Sequence, residues 1–313
     1  MADLLSRHPL HLLITSAGDV TSDLLCEQLE GQVLRLNWER WSEYDISISP
    51  VGFRIADRFG REITEQSLGN IIWRKPVLTI DIEPGEKWYC FHEFKYAVEA
   101  IIEWTRQVNP RKLPIDPIRN SQVNKFHQLR VASRYFDVPE WHFTSTPSEL
   151  VDQNDWITKS LTGRPIPGAG DFAKVIYTSR VNLSDLSDGF PWFVQRAITT
   201  IYDLTIVYVD GKQFGFTLER KLFSGLDWRR SIGLKEVDES WQQVTLPDAL
   251  ASAIHQFMTE VGLRFGRLDL LTADCSCSRV WFLELNPNGQ WAWLDLDQKN
   301  GLFDAVVEFI VSR

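Results

Sequence analysis

The stretch Trp281–Leu294, WFLELNPNGQWAWL, decides the fold. Its first half has the apolar character and alternation of a strand, and Pro287 and Gly289 then end the regular structure. Alternation puts Trp281, Leu283 and Leu285 on one face and Phe282, Glu284 and Asn286 on the other. A carboxylate and an amide are then presented at a strand end, roughly 7 Å apart along the chain and above a loop. Hard cations such as Mg²⁺ take oxygen donors of this kind, with phosphate oxygens completing the shell.

A further ligand lies upstream. Gly266–Leu271, GRLDLL, reads as a strand with Arg267, Asp269 and Leu271 on one face. Thr272–Arg279 is short and polar, so the two strands are expected to form a hairpin with Asp269 facing Glu284 and Asn286. Solvated acids on an outer strand face are the plain alternative. The Pro-x-Gly that follows at once favours a metal end.

The spacing of Asp269, Glu284 and Asn286 within LELNPNGQW resembles the metal end of the ATP-grasp fold. The tail NPNGQW, followed by Trp293, is most similar to the microviridin-type (graspetide) peptide ligases. The resemblance implies an α/β (α+β) fold in three lobes: an N-terminal βαβ lobe over 1–117, a central lobe over 118–194 and a C-terminal lobe over 195–313 carrying the metal site. It implies ATP and Mg²⁺, two ions, on Asp269, Glu284 and Asn286. The implied reaction makes an acyl-phosphate from ATP and closes ester or amide rings between side chains of a ribosomal precursor peptide, leader and core.

Further elements match the same family. Trp73-Arg74-Lys75-Pro76 is similar to a Trp-x-Arg-Arg-Pro element and implies a substrate-facing Arg74. Asn124-Lys125 and Gln128-Leu129, on a helix expected to reach Tyr135, imply that Lys125 approaches nucleotide phosphates. A solvated strand end and a surface lysine are the plain alternatives for these two cations. Lys159 in the strand WITKSL resembles the phosphate-binding lysine, and the Gly- and Pro-rich run Thr162–Asp171 a flap over phosphates. Phe193–Ile198, FVQRAI, resembles the hinge that receives adenine, with Gln195, Arg196, Ala197 and Ile198 at the base and Val194 and Ile198 on its ring. Asp203 stands where the family has an acid. Most relatives carry arginine two residues later, where this chain has Thr205. Asp227-Trp228-Arg229-Arg230 resembles an Asp-Trp-Arg element and implies that Arg229 and Arg230 stabilise charge on the reacting groups.

Composition sets outer bounds. The 313 residues are 44% hydrophobic and 24% charged, as in a globular protein. A net charge of −9 argues against a nucleic-acid or anionic-membrane surface. No run approaches membrane-spanning length. Cys26, Cys90, Cys275 and Cys277 lack metal spacing and read as reduced thiols of a cytoplasmic protein. A homodimer is compatible with this reading. No G-x-S-x-G or ordered Cys-His pair points to a side-chain nucleophile. Two other functions stay open: a ligase of small molecules or amino acids, of the glutamate-ligase kind, and a nucleotide-binding protein without catalysis.

Overall fold

Leu10–Thr15 (β1) is apolar and buried from His11 onward, as a strand covered on both faces requires. Val20–Gln28 (α1) leads from it into Val33–Asn37 (β2), which pairs parallel to β1 and completes a βαβ unit. The computed structural model describes residues 9–76, 85–150, 155–162, 178–223, 225–228 and 240–312. Contacts divide the chain into two units, Met1–Gln122 with Val209–Lys212 and Pro287–Arg313, and Val123–Tyr208 with Gln213–Asn286.

In the first unit Tyr44–Ser49 (β3), Gly52–Asp57 (β4) and Glu62–Thr64 (β5) form an antiparallel sheet. The sequence pattern suggests one hairpin around Gly60-Arg61. The chain also turns at Pro50-Val51, where Gly52 takes φ 128°, so one expected strand is two. Leu68–Trp73 (β6) pairs parallel to the other side of β1. Glu86–Val108 (α2) buries Phe91, Val98, Ile101 and Ile102 in a core shared with Leu12, Ile14, Leu34 and Trp38. The short helix Pro117–Gln122 (α3) closes the continuous part of this unit.

The segment 287–313, which the sequence reading joins to the residues before it, shares this unit. Its helix Leu302–Val311 is fixed by Asn70, whose amide donates to Ile310 O and Ser312 O at 2.8 Å each. Arg74 is 1% exposed. Its guanidinium donates to Asn288 O (3.1 Å), Asn288 Oδ1 (2.9 Å), Gly289 O (3.0 Å) and Gln290 Oε1, with Asp19 Oδ2 3.3 Å away. The expected substrate-facing Arg74 is therefore corrected. A buried guanidinium needs partners, and here a loop takes its terminal donors while a carboxylate balances its charge.

The second unit opens with Lys125–Ala132 (α4). One helix reaching Tyr135 is expected, but α3 and α4 are separate. Asn124 leaves the helical region (φ −74°, ψ 164°) and caps α4, its side chain accepting from His127 N at 3.0 Å. Trp141–Thr144 (β7), Trp156–Thr158 (β8), Ser179–Val181 (β9) and Trp192–Arg196 (β10) form a sheet in the order β7-β10-β8-β9. Tyr202–Val209 (β11) and Lys212–Glu219 (β12) join through Asp210-Gly211, both at positive φ as a tight hairpin turn demands. With Gln242–Val244 (β13), Phe265–Thr272 (β14) and Val280–Asn286 (β15) they form the order β13-β12-β11-β14-β15. Asp248–Val261 (α5) lays Ile254, Phe257 and Met258 on this sheet and stops at Gly262, left-handed at φ 72°.

No helix among the described residues is long and apolar enough to cross a membrane. All four cysteines are free, and burial pushes the Cys277 thiol up to about 11.

Phe282 anchors the second core. It is fully buried, stacks on Phe136 at 5.8 Å and meets Phe257 edge-on at 5.2 Å. Phe282→Ala should destabilise the chain by about 3–5 kcal/mol. Denaturant unfolding checks this, and a loss under about 1 kcal/mol would show that the aromatic cluster repacks around the cavity.

Candidate active site

The site grows from the pairing of β14 with β15. Arg267 pairs with Asn286 and Asp269 with Glu284. The register then shifts, because Leu270 pairs with Phe282 and leaves Leu283 as an extra residue on β15. Such a bulge re-aims the side chains beside it. Phe282 and Leu285 enter the core, while Leu283 and Glu284 both line a pocket. Strict alternation, which puts Phe282 on the face of Glu284, is corrected at this point. The hairpin is closed by Thr272, whose hydroxyl donates to Asp274 O and Arg279 O at 3.0 Å each.

Asp269, Glu284 and Asn286 meet. The Asn286 amide donates to Asp269 Oδ2 at 3.1 Å and to Glu284 Oε1 at 3.0 Å. Lys125, at the start of α4, donates to Glu284 Oε2 at 2.5 Å. Gln128, one helical turn on and buried, fixes the strand itself: Leu285 N donates to its Oε1 at 2.9 Å, and its Nε2 donates to Val123 O at 3.0 Å. Arg267 is 6% exposed and forks onto Asp269, with Nε to Oδ1 at 3.2 Å and Nη2 to Oδ2 at 2.9 Å. Thr205, from the neighbouring strand β11, donates to Asp269 Oδ1 at 3.1 Å. The guanidinium on this carboxylate comes from β14, and β11 adds a hydroxyl.

A pocket open to solvent lies beside this cluster. Lys159 lines it just past β8, its Nζ 3.4 Å from the bulge carbonyl Leu283 O and 5.6 Å from the Phe193 ring centre. Gln195, Arg196, Ala197 and Ile198 line its wall, with Asp203, which has Arg220 at 3.7 Å. Arg196 N and Ala197 N are spent on Glu140 O and Asp155 O, at 2.8 Å each. Donors for a base edge therefore come from elsewhere in the wall. Val194 is corrected too: it packs with Trp156 and Leu183 in a satellite core rather than on a ligand ring.

Gln195 is a candidate reader. It is fully buried, and neither its Oε1 nor its Nε2 has a hydrogen-bond partner. A buried unsatisfied amide is costly and marks a place where a polar ligand belongs. Its carbonyl and amino ends can match one acceptor and one donor on a purine edge, the pattern adenine presents. The donor set of Asp269, Glu284 and Asn286, two carboxylates and an amide, fits a hard cation such as Mg²⁺. No three His, Cys, Asp or Glu side chains converge among the described residues. Arg229, Arg230 and the expected flap over Pro165–Gly170 lie outside the described residues, whereas Asp227 and Trp228 line the pocket.

Sequence reasoning places Arg267 on the face of Asp269 but does not assign it a role. The signal was the i, i+2 spacing on one strand face. Gln128 is noted only as part of a motif and Arg220 is given no role, and nothing local shows that they meet Leu285 and Asp203.

No protein-family profile and no curated protein matches the chain. Solved structures do match. A RiPP-associated ATP-grasp ligase from Chryseobacterium gregarium, in complex with ADP and a leader and core peptide, superposes with a TM-score of 0.80 at 18% identity, over 96% of each chain. The macrocyclase MdnC from Microcystis aeruginosa MRC, bound with precursor peptide MdnA, gives 0.76 at 20% identity, over 97% of this chain and 100% of that one. The macrocyclase MdnB from the same organism gives 0.72 at 24% identity, over 97% of this chain and 99% of that one. This chain has the ATP-grasp fold. At these identities the likeness establishes the ATP-grasp architecture, and the residues carry the argument for chemistry.

The orphaned amide gives a direct check. Gln195→Leu removes a buried unsatisfied group, so the chain alone should gain about 1–2 kcal/mol or stay level. Thermal unfolding without ligand reads it, and a lowered Tm would mean that the amide already has a structural partner.

Proposed function

We propose that this chain is an ATP-dependent ligase that closes ester or amide rings between side chains of a ribosomal precursor peptide. The observation that carries the reading is one pocket lined by Asp269, Glu284, Lys159 and the unsatisfied Gln195 amide, with Asn286 bonded to both carboxylates. Similarity to ligases described with precursor, leader or core peptides supports the peptide as substrate. On this reading residues 118–194 are the central lobe, and the lobe from 195 onward carries the base-facing wall and the carboxylate end.

Each residue then has a task. Gln195 and Ile198 receive the adenine, one by its amide and the other by its apolar side chain. Lys159 reaches the phosphates from the end of β8. Asp269, Glu284 and Asn286 hold Mg²⁺, which neutralises phosphate charge when bound. A carboxylate oxygen of the peptide attacks the γ-phosphorus and ADP leaves, giving an acyl-phosphate. A hydroxyl or amine of the same peptide then attacks the acyl carbon, and phosphate leaves. Arg229 and Arg230 follow Asp227-Trp228 in the chain and are assigned to the charge that builds on the acyl-phosphate. The buried Arg74 is given no part in this chemistry.

Two tests bear on the reading. Lys159→Ala should weaken nucleotide binding about 10- to 100-fold by calorimetry, the worth of a charge-assisted hydrogen bond. Unchanged affinity would remove Lys159 from the phosphates. Asp269→Asn and Glu284→Gln should abolish ADP release in a folded protein. In cells co-expressing a precursor peptide, the wild type should remove one water mass per ring, read by mass spectrometry. Joining of free amino acids without any peptide would replace this reading with a small-molecule ligase. Nucleotide binding with no turnover of any acceptor would leave a nucleotide-binding protein.

A further inference from the structure

The carboxylate cluster has a property that follows from counting its lone pairs. A carboxylate offers about four acceptor positions. Asp269 Oδ1 takes Thr205 Oγ1 at 3.1 Å and Arg267 Nε at 3.2 Å, and Oδ2 takes Arg267 Nη2 at 2.9 Å and Asn286 Nδ2 at 3.1 Å. Glu284 has Asn286 Nδ2 on Oε1 at 3.0 Å and Lys125 Nζ on Oε2 at 2.5 Å. Each carboxylate thus already carries a cation and a share of one amide. A divalent metal cannot join Asp269 unless a donor leaves.

The donors differ in how readily they leave. Arg267 is buried on a strand and forked, so withdrawing it would strand a buried charge. Asn286 is the last residue of β15 and is half-buried. Half a turn about its Cβ–Cγ bond exchanges the amino end for the oxygen end with no change of shape. That rotation clears a position on both carboxylates and delivers a third oxygen ligand. Without a cation the opposite orientation is unfavourable, since it would press an amide oxygen against two carboxylate oxygens.

We propose that the Asn286 side-chain amide is a two-position latch, with its amino end inward in the metal-free site and its oxygen end inward when a divalent cation binds. Arg267 is the positioning residue that keeps Asp269 charge-paired in the first state. The inference rests on the ligase reading above and deepens it. Because Arg267 and Lys125 already neutralise the two carboxylates, the site favours a divalent ion only when polyphosphate oxygens arrive with it. Metal and nucleotide therefore enter together.

The test is Mn²⁺ binding, read by electron paramagnetic resonance on the full chain with and without a non-hydrolysable ATP analogue. The wild type should bind Mn²⁺ at least about tenfold more weakly without the analogue, since ligand charge count sets affinity. Asn286→Asp needs no rotation and adds a charge, so it should tighten nucleotide-free binding by about tenfold or more. Arg267→Gln keeps a donor but removes the competing charge, and it should move binding the same way. Thermal unfolding confirms that each variant is folded, and either variant alone suffices. Equal Mn²⁺ affinity with and without the analogue overturns the latch and leaves the ligase site standing. So does nucleotide-free affinity that neither substitution changes. No Mn²⁺ binding even with the analogue overturns both the latch and the assignment of the metal ligands.

Discussion

The pairing of Asp269 with Glu284 across two antiparallel strands depends on one extra residue, Leu283. Without that bulge, Phe282 would share a face with Glu284, and either an aromatic ring or a carboxylate would sit on the wrong side. The insertion lets the strand serve the core and the pocket over neighbouring residues. Its cost is a disrupted ladder at Leu283, whose carbonyl lies 3.4 Å from Lys159 Nζ. Gln128 supports the same strand from below by taking the N–H of Leu285.

The electrostatics of the cluster follow from its partial burial. Two carboxylates a few ångströms apart repel strongly where water is scarce. The chain answers with Arg267 on one and Lys125 on the other, each brought from a different element. On the proposed latch, the cations that pair with these carboxylates also set the conditions for a metal to enter. Gln195 shows the opposite bargain, a buried amide left unsatisfied at the pocket wall.

Much of this is legible in the sequence where the signal is local and periodic. The carboxylate hairpin follows from patterns within a few residues, and its strands, Phe265–Thr272 and Val280–Asn286, fall close to the expected bounds. The meeting of Asp269 with Glu284 and Asn286 is expected once the two strands are paired as a hairpin. The bulge is not legible, since no glycine or proline marks Leu283. The break between α3 and α4 has only Asn124 as a signal, and a capping asparagine also occurs on exposed helix faces. The burial of Arg74 depends on Asn288 and Gln290, more than two hundred residues away. A motif match assigns such an arginine to substrate because nothing local shows what encloses it. Val194 fails likewise: which face of β10 meets the pocket is set by Trp156 and Leu183.

The terminal helix has a consequence for how the chain is made. Ribosomes extend a protein from its N-terminus, and domains commonly fold in that order. Here the first unit to emerge needs a segment synthesised more than two hundred residues later. Asn70 finds its acceptors only when Ile310 and Ser312 exist, and Arg74 has no loop to hold until Asn288 to Gln290 have appeared. The unit formed mainly by the middle of the chain has its strands complete by Asn286, before the partners of Asn70 and Arg74 exist. A chain cut after residue 286 would keep both strands of the carboxylate hairpin yet leave Arg74 without the loop carbonyls that enclose it.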